Sequence, residues 1–147
     1  MTDSQFQVVG ADFSGDALAI RQVRFTVFVD EQAVPAELEM DDRDPECFHV
    51  LALDSLGTAI GTGRIDIADG ARLGRMAVLA SHRGLGVGRA LIEALHAHAQ
   101  ARGCEEVWCH AQISAQGFYE RAGYVPEGDV FEEAGIEHIT MRRRLRP

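Results

Sequence analysis

The clearest periodicity in the chain lies between residues 88 and 103. Small and apolar side chains recur there at steps of three and four: Leu91, Ile92, Leu95 and Ala99. Polar residues fill most positions between them, so the spacing predicts an amphipathic helix with one buried stripe. Gly103 follows the last apolar position, where glycine commonly ends a helix in a left-handed conformation.

Other stretches have the patterns of β-strands. Residues 72–80, "RLGRMAVLA", are rich in apolar side chains and free of proline, which predicts a mostly buried strand directly before a glycine-rich turn. Residues 49–67 and residues 124–145 each hold two apolar runs separated by a turn, which predicts two hairpins. The mixture of strands and helices predicts an α/β protein with a mixed sheet.

The first forty residues predict a strand followed by a helix. The strand covers "QFQVVGADF", and Ser14, Gly15 and Asp16 are turn residues that can also cap the helix after it. The apolar face of that helix is formed by Ile20, Val23, Val27 and Phe28. The β-branched run "TVFV" is less typical of a helix, and Pro35 ends the helical region.

The turn between the strand of residues 72–80 and the long helix raises a chemical question. Its sequence, "RGLGVGR", places Gly84, Gly86 and Gly88 at alternate positions between two arginines, Arg83 and Arg89. The first N–H groups of a helix lack carbonyl partners and favour an anion, and glycine lets phosphate oxygens approach them without meeting a Cβ. A turn that used glycine for geometry alone would need fewer glycines. The turn therefore indicates a phosphate-binding site.

Two common nucleotide motifs do not match this turn. A P-loop needs a lysine and then Ser or Thr after its last glycine, whereas Arg89 and Ala90 follow here. The dinucleotide motif GxGxxG would require a third glycine at position 89, and it normally follows the first strand of its domain.

The pattern Arg83-x-x-Gly86-x-Gly88, between a strand and a helix, resembles the pyrophosphate-binding signature of the GNAT superfamily of acyl-CoA N-acyltransferases. The downstream segment "EEVWCHAQISAQGFYERAGYV" is similar to the next strand and helix of that family, and "IRQVRFTVFVDEQAVP" is similar to its first helix. The resemblance covers nearly the whole chain. It implies one GNAT domain over residues 1–147, with a mostly antiparallel sheet of about six or seven strands and helices on both faces.

The resemblance also implies acetyl-CoA as the cofactor. In the family, the strand before the turn offers backbone groups to the pantetheine arm, the turn holds the pyrophosphate, and residues near the following short helix touch the cofactor. The matching positions are Met76, Ala77, Val78, Arg83, Gly84, Leu85, Gly86, Val87, Gly88, Arg89, Ser114 and Gln116. Ser114 is also a candidate N-cap of that short helix.

Acetyl transfer from a thioester to an amine needs an acid for the departing thiolate and a base for the amine. Tyr119 in "GFYERAG" matches the family's usual acid, and the alternative is a core aromatic. His138 in "GIEHITM" is the first candidate for the base, although Glu137 stands where a related subgroup has proline. His110 and His49 are rivals, followed by the carboxylates Glu132 and Glu133.

Two arginines and a glutamine are the candidate residues for binding the acceptor. Arg21 and Arg75 match arginines that hold an anionic acceptor in a subgroup resembling glyphosate N-acetyltransferase, and Gln112 stands at the position of a third arginine. An amino acid is a reasonable acceptor on this basis, and a polyamine, an aminoglycoside or a protein N-terminus are alternatives. The acidic stretch from Glu37 to Glu46 predicts a solvated loop, or a site that gathers a cationic substrate.

Composition narrows the function classes. The net charge of −9 and the scattered basic residues argue against nucleic acid, and the run at residues 142–146 is interpreted as a solvated strand end. Three cysteines form no CxxC pair, and no apolar run is long enough for a membrane helix, which favours a cytoplasmic protein without a metal site. A homodimer is expected from family habit only. The rival functions are a non-catalytic acyl-CoA-binding protein and a dinucleotide-dependent oxidoreductase.

Overall fold

The structure is a computed structural model that describes residues 6–39 and 41–145. Its strands are β1 (Phe6–Ala11), β2 (Phe48–Asp54), β3 (Ala59–Asp66), β4 (Arg72–Val78), β5 (Glu106–Gln112), β6 (Val125–Glu133) and β7 (Ile136–Arg144). Its α-helices are α1 (Phe13–Arg24), α2 (Ala36–Glu39), α3 (Val87–Ala101) and α4 (Gln116–Arg121). These elements confirm the α/β class and both predicted hairpins.

The strands form one seven-stranded sheet in the order β1-β2-β3-β4-β5-β7-β6. Every neighbouring pair is antiparallel except β4 and β5, which are parallel and are paired only at Arg72 and Trp108. Beyond that pair the two strands have no further pairing, so the edge of β4 from Leu73 to Val78 has no strand neighbour on the β5 side. A wedge-shaped gap therefore opens in the middle of the sheet.

The long helix crosses between these two strands and packs on one face of the sheet. Leu91, Ile92 and Leu95 of α3 are fully buried in the main core, as the periodicity predicts. Each such side chain contributes roughly 1.5–3 kcal/mol of burial free energy. Val23 and Val27 instead form a second cluster with Ala77 of β4. Helices therefore cover both faces of the sheet.

The first helix differs from the sequence prediction at both ends. Its N-cap is Asp12, whose carboxylate accepts from the N–H of Ser14, so Ser14, Gly15 and Asp16 lie inside the first turn rather than before it. The Asp16 carboxylate accepts a hydrogen bond from the N–H of Asp12 at 2.9 Å, so side chains at both positions stabilise the start of the helix. At the other end, the "TVFV" run continues as a π-helix over Phe25–Glu31. Wide π turns of this kind are frequent near functional sites.

Candidate active site

A cavity of about 1200 Å³ occupies the gap between β4 and β5. One end lies at the glycine turn and the start of α3, and the other lies between β3, β5 and the β6–β7 turn. Most of the predicted site residues line it: Arg75, Met76, Ala77, Val78, Arg83, Gly84, Gly86, Val87, Gly88, Arg89, Gln112, Ser114, Tyr119 and His138. Leu85, Gln116 and Arg21 are not among its lining residues, and Arg21 is exposed on the outer side of α1.

The glycine turn presents a row of backbone donors. Gly84 and Gly86 have φ angles of +79° and +86°, which side chains rarely adopt, and a Cβ at either position would point into open space. The first helical bond of α3 is donated by Ala90, so the N–H groups of residues 84–89 have no acceptor among the described residues. With the dipole of a fifteen-residue helix behind them, these groups form an anion site.

The two arginines beside the turn, Arg83 and Arg89, each form an ion pair with a glutamate of the chain. Arg83 donates to both carboxylate oxygens of Glu31 at 2.5 and 2.7 Å and to the carbonyl of Val78 at 2.9 Å. The hydrogen bonds from Arg83 lower the pKa of the Glu31 carboxyl. Arg89 pairs with Glu93 one turn along α3 at 2.9 Å. The ion pair between Arg83 and Glu31 therefore connects the end of the π-helix to the glycine turn, which we call the phosphate-binding turn.

Tyr119 is 7% exposed, belongs to the core, and also lines the cavity. Its hydroxyl has no hydrogen-bond partner among the residues the structure describes, whereas the hydroxyl of Tyr124 lies 2.7 Å from Nε2 of His96. Burial raises the pKa of Tyr119 above that of an ordinary phenol because the phenolate would lose its hydration. The phenol is therefore protonated at neutral pH and available to donate.

His138 enters β7 opposite Gln112 of β5 and lines the cavity. Its Nδ1 lies 2.7 Å from the carbonyl of Ile136, so this nitrogen carries the proton and donates. In the neutral imidazole, Nε2 is then left as an acceptor. His138 is 7% exposed and stacks at 5.9 Å from Phe131, which holds the ring in place. The arrangement suits a group that accepts a proton at Nε2.

His110 occupies a different environment on the same strand as Gln112. Its Nδ1 lies 2.9 Å from a carboxylate oxygen of Glu133 and 3.0 Å from a guanidinium nitrogen of Arg72. The ring packs edge-on against Trp108 and Phe131. His49, the other rival for the base, is buried at 1% exposure with Nε2 held by the carbonyl of Asp44, and it is not among the cavity-lining residues.

The prediction of a solvated acidic loop is wrong for two of its carboxylates. Glu39 and Asp44 are 3% and 1% exposed, and both pair with Arg24, which is fully buried. Arg64 binds Asp44 at 2.6 Å and Asp41 at 2.7 Å. Three arginines, Arg24, Arg64 and Arg75, thus meet three carboxylates in what we call the arginine–carboxylate cluster.

Charge pairing in the cluster shifts its carboxyl groups. Hydrogen bonds and charge from Arg64 hold the pKa of Asp41 well below its usual range. Burial alone would raise the pKa of Asp44, but Arg24 and Arg64 outweigh it and the net shift is downward. Sequence reasoning overlooked Arg24. The sequence does mark Arg24 as unusual, because it is a charged residue on the apolar stripe of the first helix, four residues after Ile20 and three before Val27.

Arg75 belongs to this cluster, and its guanidinium is paired with groups of the chain. It has a left-handed φ of +51° at a register irregularity between β3 and β4, which is uncommon for any residue other than glycine. Its guanidinium donates to the carbonyl of Glu39 at 3.1 Å and to Asp41 at 3.4 Å. Gln112, the other predicted acceptor residue on the cavity wall, donates to the side chain of Gln32 at 2.9 Å.

The predicted cap on the short helix is also incorrect. Ser114 lies in a 3-10 turn before α4, and the N-cap position is held by Ala115 without a side-chain hydrogen bond. The chain passes through the 3-10 turn before it becomes α-helical, which moves the helix start past Ser114. Gln116 donates to Glu120 one turn along α4 at 3.2 Å.

Within residues 6–39 and 41–145, no group of three or more His, Cys, Asp or Glu side chains is arranged to hold a metal ion. None of the described helices has the length and apolarity needed to cross a bilayer. The cysteines Cys47, Cys104 and Cys109 are free thiols, and burial raises the pKa of Cys109 to about 12.

Comparisons with known proteins agree with this geometry. A family model described as an acetyltransferase (GNAT) domain matches residues 9–145. The uncharacterized N-acetyltransferase YjcF of Bacillus subtilis is 40% identical over 123 residues, which is 82% of this chain and 87% of that protein. The crystal structure of Escherichia coli ElaA matches with a TM-score of 0.83 at 28% identity, covering 93% of this chain and 99% of the other. An acyl-CoA N-acyltransferase from Pseudomonas aeruginosa matches with a TM-score of 0.81 at 28% identity and the same coverage.

Proposed function

Because the chain belongs to the GNAT family of acetyltransferases, we propose that it transfers the acetyl group of acetyl-CoA to the primary amine of a small molecule. The observation that carries the proposal is the row of unpaired N–H groups at residues 84–89, which opens onto the same cavity as Tyr119 and His138. One end of that cavity thus suits a pyrophosphate, and Tyr119 and His138 line the same cavity as the candidate acid and base.

The cofactor side fits acetyl-CoA in two ways. The row of N–H groups and the α3 dipole would hold the pyrophosphate. The edge of β4 from Leu73 to Val78, which includes Met76 and Ala77, has no strand partner on the β5 side, so an extended pantetheine arm can bind along it as an added strand would. Ser114 of the 3-10 turn lines the opposite wall. Acetyl-CoA supplies the activated acyl group, and the chain supplies orientation and proton transfer.

The chemistry needs two proton transfers. His138 takes a proton at Nε2 from the attacking amine, while its Nδ1–H stays bonded to the carbonyl of Ile136. Tyr119 gives its phenolic proton to the sulfur as the C–S bond breaks, which leaves the free thiol of CoA. The three free cysteines fit a reducing compartment such as the cytoplasm, where we place the enzyme.

The first test is a calorimetric titration with CoA and acetyl-CoA, with NAD(H) and ATP as controls, followed by thiol release with a panel of amines. We expect binding of both CoA compounds, no binding of NAD(H), and thiol release that depends on the amine. Binding without amine-dependent release would make the chain an acyl-CoA-binding protein. Binding of NAD(H) alone would overturn the assignment of the phosphate-binding turn.

Glu31 is predicted to weaken cofactor binding. Its carboxylate occupies Arg83 through two hydrogen bonds and places a negative charge beside the phosphate-binding turn. We expect Glu31→Gln to free Arg83 and lower the dissociation constant of CoA by roughly 2- to 5-fold, since an exposed pair of this kind is worth up to about 1 kcal/mol. Calorimetry at low and high salt would show the difference shrinking as salt rises. A weaker affinity in the variant would mean that the pair orders the site instead.

His138 is predicted to accept the proton of the attacking amine. His138→Asn keeps a donor near the carbonyl of Ile136 and removes the basic nitrogen. We expect kcat/KM to fall roughly 10- to 100-fold at neutral pH and to recover at high pH, where the free amine is abundant. The affinity for acetyl-CoA should stay the same. If kcat/KM is unchanged in this variant and falls by the same factor in His110→Asn, the base is His110.

A further inference from the structure

Four arginines line the end of the cavity away from the phosphate-binding turn: Arg43, Arg64, Arg72 and Arg75. Three of them bind carboxylates of the chain. Arg43 binds Asp66 at 2.7 and 2.9 Å, and Arg64 and Arg75 belong to the arginine–carboxylate cluster. Arg72 has no carboxylate within hydrogen-bond distance among the described residues, and the nearest is Asp69 at 4.0 Å.

Arg72 is held in position without a hydrogen-bonded carboxylate among the described residues. Its guanidinium carbon lies 5.1 Å from the centre of the Trp108 ring, which restricts the side chain by a cation–π contact. The Trp108 N–H in turn donates to the carbonyl of Asp69 at 3.0 Å, which fixes the ring. The Arg72 side chain is 35% exposed, and its planar set of N–H donors matches the geometry of a carboxylate.

The contacts of His110 leave Arg72 short of an acceptor. Nδ1 of His110 lies within hydrogen-bond distance of both Arg72 and Glu133, and a single ring nitrogen either donates or accepts. A lone pair facing the Glu133 carboxylate would be repulsive, so Nδ1 carries the proton and donates to Glu133. The N–H of Arg72 then faces another donor, which leaves its hydrogen bonds to solvent or to an anionic group bound in the cavity.

The sheet register sets the distance between Arg72 and the proposed base. Gln112 is paired with His138, and the Arg72 guanidinium reaches His110, which is two residues earlier on β5. Two residues along a strand span roughly 7 Å. Along the strand direction, a carboxylate at Arg72 and an amine at His138 would thus lie roughly 6–8 Å apart, which an extended chain of four or five methylenes covers at about 1.2 Å per bond.

We propose that Arg72 binds the carboxylate of the acceptor, and that the acceptor is an ω-amino carboxylate whose amine and carboxylate are separated by four or five methylenes. The proposal rests on the proposed function and names the substrate class for the same site. An α-amino acid acetylated at its α-amine is too short to reach both groups. A terminal diamine would place a second cation against Arg72.

The test compares three amines of equal length: 5-aminopentanoate, pentylamine and 1,5-diaminopentane. We expect kcat/KM for 5-aminopentanoate to exceed that for pentylamine by roughly 10- to 100-fold, because a charge-assisted bidentate pair is among the stronger polar contacts. Arg72→Gln should remove most of this preference through KM. Arg43→Gln is the matched control, since Arg43 lines the same end but already pairs with Asp66, and it should retain the preference.

A second readout separates this proposal from the proposed function. Titration of 5-aminopentanoate into the CoA-saturated protein measures the subsite without turnover, and Arg72→Gln should weaken binding by roughly 10- to 100-fold. Tight binding of 5-aminopentanoate without acetylation would support the subsite and contradict the reaction. Acetylation of all three amines at similar kcat/KM would support the reaction and overturn the subsite. If 1,5-diaminopentane were the preferred amine, its second ammonium would be assigned to Glu133, and the proposal that Arg72 binds a carboxylate would be overturned as well.

Discussion

Replacement of Tyr119 by phenylalanine is expected to lower kcat by roughly 10²- to 10⁴-fold, the usual range for loss of a general acid. The change keeps the ring, which is 7% exposed and packs edge-on against Phe118 and Tyr124. Because the Tyr119 hydroxyl has no partner among the described residues, its removal breaks no hydrogen bond seen in the fold. Acetyl-CoA affinity and the free energy of unfolding should therefore change little, and the loss should appear in kcat.

Tyr124 provides the matched control. It is also a buried tyrosine whose pKa burial raises, but its hydroxyl bonds His96 at 2.7 Å, and Tyr124 is not a cavity-lining residue. Tyr124→Phe should cost about 1–3 kcal/mol of stability, because a buried histidine nitrogen loses its partner, and leave kcat unchanged. If both variants turn over at the wild-type rate with the best amine, Tyr119 is a core aromatic and the acid is another group.

Replacement of Arg24 by methionine is expected to reduce the free energy of unfolding by roughly 3–5 kcal/mol, the usual cost of removing one partner from a buried ion pair. Methionine has a similar length but carries no charge. The carboxylates of Glu39 and Asp44, which are 3% and 1% exposed, would then lose a buried positive partner. Urea unfolding followed by circular dichroism measures the loss. A total stability of about 5–15 kcal/mol is typical, so the variant should still fold.

The Arg24 prediction has a matched control and a pH signature. Arg43 pairs with Asp66, but its side chain is 47% exposed, so Arg43→Met should lower the free energy of unfolding much less than Arg24→Met does. The folded pKa of Asp44 is lowered, so this carboxylate stabilises the wild type above its unfolded pKa of about 3.9, and that stability is lost as the pH falls through the folded pKa. The difference between wild type and Arg24→Met should therefore shrink below about pH 4. Equal losses for both arginines would contradict the structural role of the arginine–carboxylate cluster.

The sequence was most informative where local patterns dictate local structure. The steps of three and four through Leu91 and Leu95 predicted α3, and the glycine turn before it predicted a helix start with free donors. Both features depend on residues close together in the chain, since glycine alone accepts the φ angles of Gly84 and Gly86 without strain. The fold class and the family followed from these segments and the "GFYERAG" motif.

The acceptor side depends on contacts between distant segments. Arg24 meets Asp44 across twenty positions, and Arg72 meets His110 across thirty-eight, so neither partner could be assigned from spacing. The family resemblance pointed to Arg21 and Arg75, but the register of α1 turns Arg24 inward instead, and the left-handed backbone at Arg75 directs it to Glu39 and Asp41. Whether an arginine can bind an acceptor depends on whether a carboxylate of the chain already pairs with it, and only the folded structure shows those pairs.

The measurement that tests the account most directly is mass spectrometry of a reaction containing the protein, acetyl-CoA with a labelled acetyl group, and 5-aminopentanoate. A labelled amide is expected to form in step with free CoA thiol, and its yield should fall strongly with Tyr119→Phe. The opposite result is binding of acetyl-CoA without any labelled amide, both with 5-aminopentanoate and with diamines, amino acids and aminoglycosides in its place. That result would contradict the proposed acetyl transfer.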